Sequence, residues 1–154
     1  SFHEGTDVFK PFLFFNISSN ESRSGHSLYN QDEANFIIQH LKLFYQQCPM
    51  EANNMSIGII TPYKQQQKRI ISGLEKAQSL KGKNIEVATV DFYQGREKDI
   101  IFFSCVRAKG NKGIGFLSDI RRMNVAITRA KYSLWVVGNQ ASLQRNPDWR
   151  EMIK

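Results

Sequence analysis

Three clusters of residues in this chain have the types and spacing to handle phosphate. The first is Gln94-Gly95-Arg96-Glu97-Lys98-Asp99, which directly follows an apolar segment. A glycine there lets backbone amides approach a phosphate or ribose closely, while Gln94 and Glu97 offer directed acceptors for hydroxyls. Taken alone, a charged turn of this kind is more often simply solvated. The second is Arg122 with Arg129, seven positions apart in a segment that reads as a helix from Asp119 to Lys131. Helical spacing groups Ile120, Met123, Ile127 and Ala130 on one side and sets both arginines on the other. Guanidinium is always charged, planar and able to grip phosphate oxygens in pairs, which is why transferred phosphoryl groups are so often met by arginine. A surface salt-bridge pair is the plainer reading of the same two residues.

The third cluster is Thr61-Pro62-Tyr63 with Gln66, which opens a helix after a strand. Unpaired amides and the helix dipole favour an anion at such a junction, and Tyr63 either stacks on a base or packs against the body. Other chemistries find no footing. No G-x-x-x-x-G-K-[ST] phosphate loop occurs in the chain, and Gly110, Gly113 and Gly115 have the wrong spacing for a dinucleotide fingerprint. His3, His26 and His40 lack metal or catalytic spacing, and no Ser-His-Asp set can be assembled from the sequence.

The elements that must hold these clusters alternate. Pro11–Ile17, Ile57–Thr61, Ile85–Val90, Ile100–Val106 and Tyr132–Val137 read as strands, the fourth and fifth as continuous apolar runs suited to the centre of a sheet. Asn30 with Glu33 marks a helix start. Ala34, Ile37, Ile38, Leu41, Phe44, Tyr45 and Cys48 then recur at helical spacing until Pro49. Pro62 opens a second helix, with Ile70, Ile71, Leu74 and Ala77 on its inner face. Ser18–Ser27 reads as a mobile polar loop, and Ala141–Lys154 as two short helical turns. Strands alternating with helices predict an α/β layer fold with a mostly parallel sheet of five strands.

Composition agrees with one ordinary domain: 154 residues, 41% hydrophobic and 12% aromatic. The net charge of +7 is uneven, −3 over residues 1–59 and +10 over the rest, so the motif-bearing part is also the basic part. Such a field favours a polyanionic partner. Cys48 and Cys105 read as reduced core residues, too few for a disulfide framework or, by themselves, a zinc site. Ile100–Val106, the longest uncharged apolar stretch, falls well short of the roughly 20 residues that cross a bilayer, so no membrane partner is expected.

Taken together and in this order, the segments resemble the second RecA-like domain of superfamily 1B helicases, in the branch of senataxin and the nonsense-mediated-decay helicase. IGIITPYKQQ resembles motif IV of that family, VATVDFYQGREKD motif V and RRMNVAITRAK motif VI, with the match strongest over residues 57–154. TRAKYSLWVVG leans toward senataxin. The resemblance implies a RecA-like sheet with helices on both faces, residues 1–154 forming the second motor domain of a larger, monomeric protein. It implies Arg129 as an arginine finger on the γ-phosphate of ATP, with Gly95, Glu97 and Gln94 at the nucleotide and Arg122 steadying motif VI or touching nucleotide. Thr61, Pro62 and Thr89, with Tyr63 and Gln66 nearby, would line the path of single-stranded RNA or DNA, or of an RNA–DNA hybrid. Magnesium ligands and the phosphate loop belong, on the same analogy, to a first RecA-like domain that would close on this one and drive 5′ to 3′ stepping. Kinship with senataxin implies the nucleus, and kinship with the message-decay branch the cytoplasm. The competing expectation is a catalytically silent domain of the same fold that serves as a nucleic-acid or protein scaffold.

Overall fold

The structure, a computed structural model, describes residues 12–93, 97–106 and 128–143. Seven strands and four helices lie in them: β1 Phe12–Asn16, β2 Ser22–Ser24, β3 Ser27–Tyr29, α1 Gln31–Gln47, α2 Pro49–Asn53, β4 Ile57–Thr61, α3 Lys64–Lys76, β5 Ile85–Thr89, β6 Lys98–Ser104, β7 Ala130–Gly138 and α4 Gln140–Leu143. Short 3-10 turns follow α3 and β5. Five strands form one all-parallel sheet in the order β1-β7-β6-β4-β5, and β2 pairs antiparallel with β3 as a separate hairpin.

Local chemistry explains the boundaries. The Asn30 side chain accepts the Glu33 N–H at 3.0 Å and caps α1. At the far end Cys48 caps the helix and Pro49, which has no amide hydrogen to lose, begins α2. The expected strands hold, with β6 and β7 each starting two residues earlier than apolarity alone suggested, because Lys98 and Ala130 pair through their backbones ahead of a register irregularity. The second helix begins at Lys64 with Tyr63 as its N-cap, two residues beyond Pro62.

Every residue of β4 is buried, as befits a strand covered on both faces. On one face α1 and α3 bury Ile37, Leu41, Phe44, Ile57, Ile59, Ile70, Phe102 and Trp135. On the other, Ile60, Ile101, Phe103 and Val136 pack with Val90, Tyr93 and Leu143. Ile71, expected on the inner face of α3, is instead 37% exposed, one step round the helix from buried Ile70.

Two expectations are corrected. Ser18–Ser27 is not a plain loop: Gly25, at φ +62°, forms with His26 the two-residue turn that lets Ser22–Ser24 pair with Ser27–Tyr29. The helix read as reaching Lys131 does not extend that far, since Thr128 and Arg129 form a turn and Ala130 opens β7. The remainder of that helix and the tail beyond Leu143 lie outside the described residues.

Candidate nucleotide and nucleic-acid sites

Because all five strands run the same way, the polar residues at their two ends fall on opposite edges of the sheet. Glu97 and Arg129 stand at the N-terminal ends of β6 and β7, whereas Thr61 and Thr89 close the C-terminal ends of β4 and β5. A strand of this length separates them by about 17 Å.

At the first edge, the Lys98 N–H donates to the Arg129 carbonyl at 2.9 Å, so Glu97 and Arg129 flank one rung of the ladder. The Arg129 Nε is buried and has no hydrogen-bond partner among the described residues. A buried, unpaired donor on a permanent cation is costly and suits a site completed by an anion. The neighbouring charges are otherwise committed. Lys98 Nζ pairs with Glu86 at 3.0 Å, and Asp99 accepts the Ser56 N–H at 2.8 Å. Glu97 is exposed, whereas Gln94, Gly95 and Arg122 lie outside the described residues.

At the opposite edge Thr61 and Thr89 are register partners and both are buried. The Thr61 hydroxyl has no partner among the described residues. Pro62, Tyr63 and Thr89 line a cavity of ≈ 460 Å³ that also receives Lys64, Lys68 and the β2–β3 hairpin. Gln66 does not line it. Its side chain is fully buried, accepting the Asn30 N–H at 2.9 Å and donating to the Asn30 carbonyl and to Ser104 Oγ at 3.0 Å each. Gln66 therefore anchors α1 and β6 to α3, beneath the residues that reach the surface.

Sequence reasoning took Glu33 for a helix-start residue and missed its main contacts. In a capping box the glutamate reaches back to the N-cap amide. Here Gln66 accepts that N–H, and Glu33 turns inward: its Oε1 accepts from Ser104 Oγ at 2.7 Å and from the Val106 N–H at 3.0 Å. Burial pushes the Glu33 carboxyl up to about 7, against the opposing pull of those two hydrogen bonds. Val106 is held at φ +71°, a conformation that a β-branched residue adopts only under constraint. One signal was available in the sequence: Glu33 lies four residues before Ile37 and eight before Leu41, on the stripe that faces the core. Among the described residues no group of three or more His, Cys, Asp or Glu could hold a metal ion, and no helix is long and apolar enough to cross a membrane.

Residues 2–141 match the protein family described as an AAA domain. The chain belongs to that family. It is similar over 99% of its length to a probable helicase of Dictyostelium discoideum, at 43% identity and covering 16% of that protein. It is 44% identical to the regulator of nonsense transcripts 1 of Caenorhabditis elegans over 94% of this chain and 14% of the relative. The probable helicase senataxin of Mus musculus is 42% identical over 95% of this chain and 6% of the relative. The chain thus spans less than a fifth of each of these relatives, matching the AAA-domain region of helicases of the senataxin and nonsense-transcript-regulator type. Within this family the all-parallel five-stranded sheet is the RecA-like α/β architecture that the sequence resemblance implied.

Proposed function

We propose that this chain is the second motor domain of an ATP-dependent helicase acting on RNA or DNA, with Arg129 as its arginine finger. The observation that carries the reading is the buried Arg129 Nε, which has no partner among the described residues while the Arg129 carbonyl is held by the Lys98 N–H, next in sequence to Glu97. Arg129 would neutralise charge that develops on the transferred phosphoryl group. Glu97, with Gln94 and Gly95, would orient the nucleotide, and Arg122 would support the same motif. ATP with magnesium supplies the cleavable phosphoanhydride, and the residues that hold the metal belong in this reading to a preceding RecA-like domain.

Thr61, Pro62, Tyr63 and Thr89 would face the strand. Thr89 closes β5 at the edge assigned here to the nucleic-acid strand, and Lys98 opens β6 at the edge assigned to the nucleotide. Closure of two domains on ATP would therefore be felt at both edges through one short covalent path. Gln66 would serve the track from below.

The test is Arg129→Ala in the longer protein. Strand-stimulated ATP turnover should fall by about 10³ or more, the range attributed to arginine fingers, while strand affinity without nucleotide stays unchanged. Arg129→Lys should rescue little, because an ammonium cannot reproduce the forked, planar contact. Near-normal turnover in Arg129→Ala would make the arginine an ordinary surface residue and sink the assignment, whereas a longer protein with no strand-stimulated turnover at all would favour the scaffold reading.

A further inference from the structure

We infer that the β2–β3 hairpin is the outer wall of a subsite that grips the sugar-phosphate backbone of one nucleotide unit in a nucleic-acid strand. This rests on the helicase reading above and extends it to Ser24, His26 and Ser27 of the hairpin and to Lys68, which lie outside the motifs quoted above.

The cavity beside Thr89 measures ≈ 460 Å³, within the ~300–1,000 Å³ of ordinary ligand pockets. Its inner wall is the start of α3, contributing Tyr63, Lys64 and Lys68, and its outer wall is the hairpin, contributing Ser24, His26 and Ser27. The hairpin is fixed to that helix by two different interactions. Ser27 Oγ accepts the Gln65 N–H at 3.2 Å, and the Arg69 guanidinium lies 3.9 Å from the centre of the Tyr29 ring. Gly25 at φ +62° makes the tight turn that carries His26 to the rim.

The chemistry of the lining selects the ligand class. Ser27 spends acceptor capacity on Gln65, so its own O–H remains to be donated. Two lysines, Lys64 and Lys68, and two serines, Ser24 and Ser27, line the same space, and the first turn of α3 contains no acid to oppose them. Asp91 is the single carboxylate on the lining. Such a set matches the non-bridging oxygens of a phosphodiester and the oxygens of its sugar. The aromatic rings on the lining, Tyr63 and the imidazole of His26, are outnumbered by Ser24, Ser27, Lys64 and Lys68, so polar contacts to backbone oxygens dominate over stacking on a base. The track is thus backbone-reading and tolerant of sequence. A free nucleotide carries the same phosphate, but the cavity adjoins Thr89 at the edge opposite Arg129, where the strand rather than ATP is expected.

The experiment is an amide NMR titration of the full chain at low salt with a short oligothymidylate, and separately with AMP, repeated for Lys64→Ala/Lys68→Ala and Ser24→Ala/His26→Ala. These side chains line a surface cavity, so thermal unfolding of the variants should match the wild type. The oligomer should shift the amides of Arg23–Ser27 and Lys64–Lys68. Each double variant should lose affinity about tenfold, and the lysine pair should flatten the salt dependence by roughly 0.7 per lysine. AMP binding as tightly as the oligomer would overturn the strand assignment. Shifts confined to Thr61 and Thr89, with both variants binding normally, would overturn the hairpin subsite but spare the helicase reading. No shift with the oligomer anywhere would overturn the subsite, while the helicase reading is decided separately by Arg129→Ala in the longer protein.

Discussion

Lys98 joins two parts of the sheet at once: its N–H reaches the Arg129 carbonyl at 2.9 Å and its ammonium reaches Glu86 at 3.0 Å. The second contact spans the intervening strand β4, and it passes over Gly58. A Cβ on Gly58 would lie 3.0 Å from Lys98 Cγ and 2.9 Å from Ile101 Cδ1. Gly58→Val should therefore overpack the sheet and cost about 1–3 kcal/mol in urea unfolding. A double-mutant cycle on Lys98→Met and Glu86→Gln should give a coupling of no more than ~1 kcal/mol, since Glu86 remains 32% exposed. A Gly58→Val protein as stable as the wild type would contradict the close approach.

Glu33 should make the folded chain lose stability as pH rises. Its carboxyl titrates at 4.5 when unperturbed and at about 7 when buried here, so the folded state holds the proton more tightly than the unfolded state. The corresponding stability is fully present below 4.5 and is lost as pH climbs through about 7, a span worth on the order of 3 kcal/mol. Glu33→Gln cannot ionise and should abolish that decline. Ser104→Ala removes a hydrogen bond to the charged form and should move the decline to higher pH. Urea midpoints of the three proteins across this window provide the check, and an unchanged decline in Glu33→Gln would refute it.

His40 should act in the opposite sense. It lies among Phe15, Phe36, Phe102 and Trp135, and burial holds its imidazole down at about 4. The neutral ring is the folded form, so its contribution is present above 6.5 and lost as pH falls toward 4. His40→Phe should remove this acid loss. Where the two windows overlap, the slopes from His40 and Glu33 oppose one another, and each single variant should expose the other.

The hairpin's attachment can be tested without any ligand. Tyr29→Ala removes the ring beneath Arg69, a contact worth about 0.5–1 kcal/mol at an exposed site. Amide hydrogen exchange should quicken by a few-fold across Ser22–Tyr29 while β4 and β6 keep their protection. Equal acceleration throughout would mean that the hairpin opens only with the whole domain.

The sequence disclosed what depends on local pattern. Ile57–Thr61 and the stripe from Ala34 to Phe44 are apolar at the right period, and structure follows them closely. It was less informative where backbone rather than side chain decides. Lys98 and Ala130 enter strands through backbone pairing that side-chain pattern conceals, and Gly25 makes a hairpin from residues that individually favour loops. Thr61 and Thr89 were both picked as strand-facing, but their pairing follows from strand order, which no local pattern encodes. Gln66 and Glu33 illustrate the hardest case. Each looks like a surface residue by type, yet each is buried and hydrogen-bonds to partners dozens of positions away. Gln94, Gly95 and Arg122 lie outside the described residues, so their roles stand as proposed.

The sheet places β1 at its edge against β7, with Phe12 opposite Leu134. During synthesis β1, made before the other four strands of this sheet, is thus among the last to find its neighbour. Until the ribosome has released residues past Gly138, Phe12–Asn16 has no ladder to join, and a half-finished chain offers an apolar, unpaired strand to its surroundings. Moving this strand to follow Leu143 by circular permutation would shorten the wait, and the gain would appear in folding speed rather than in final stability.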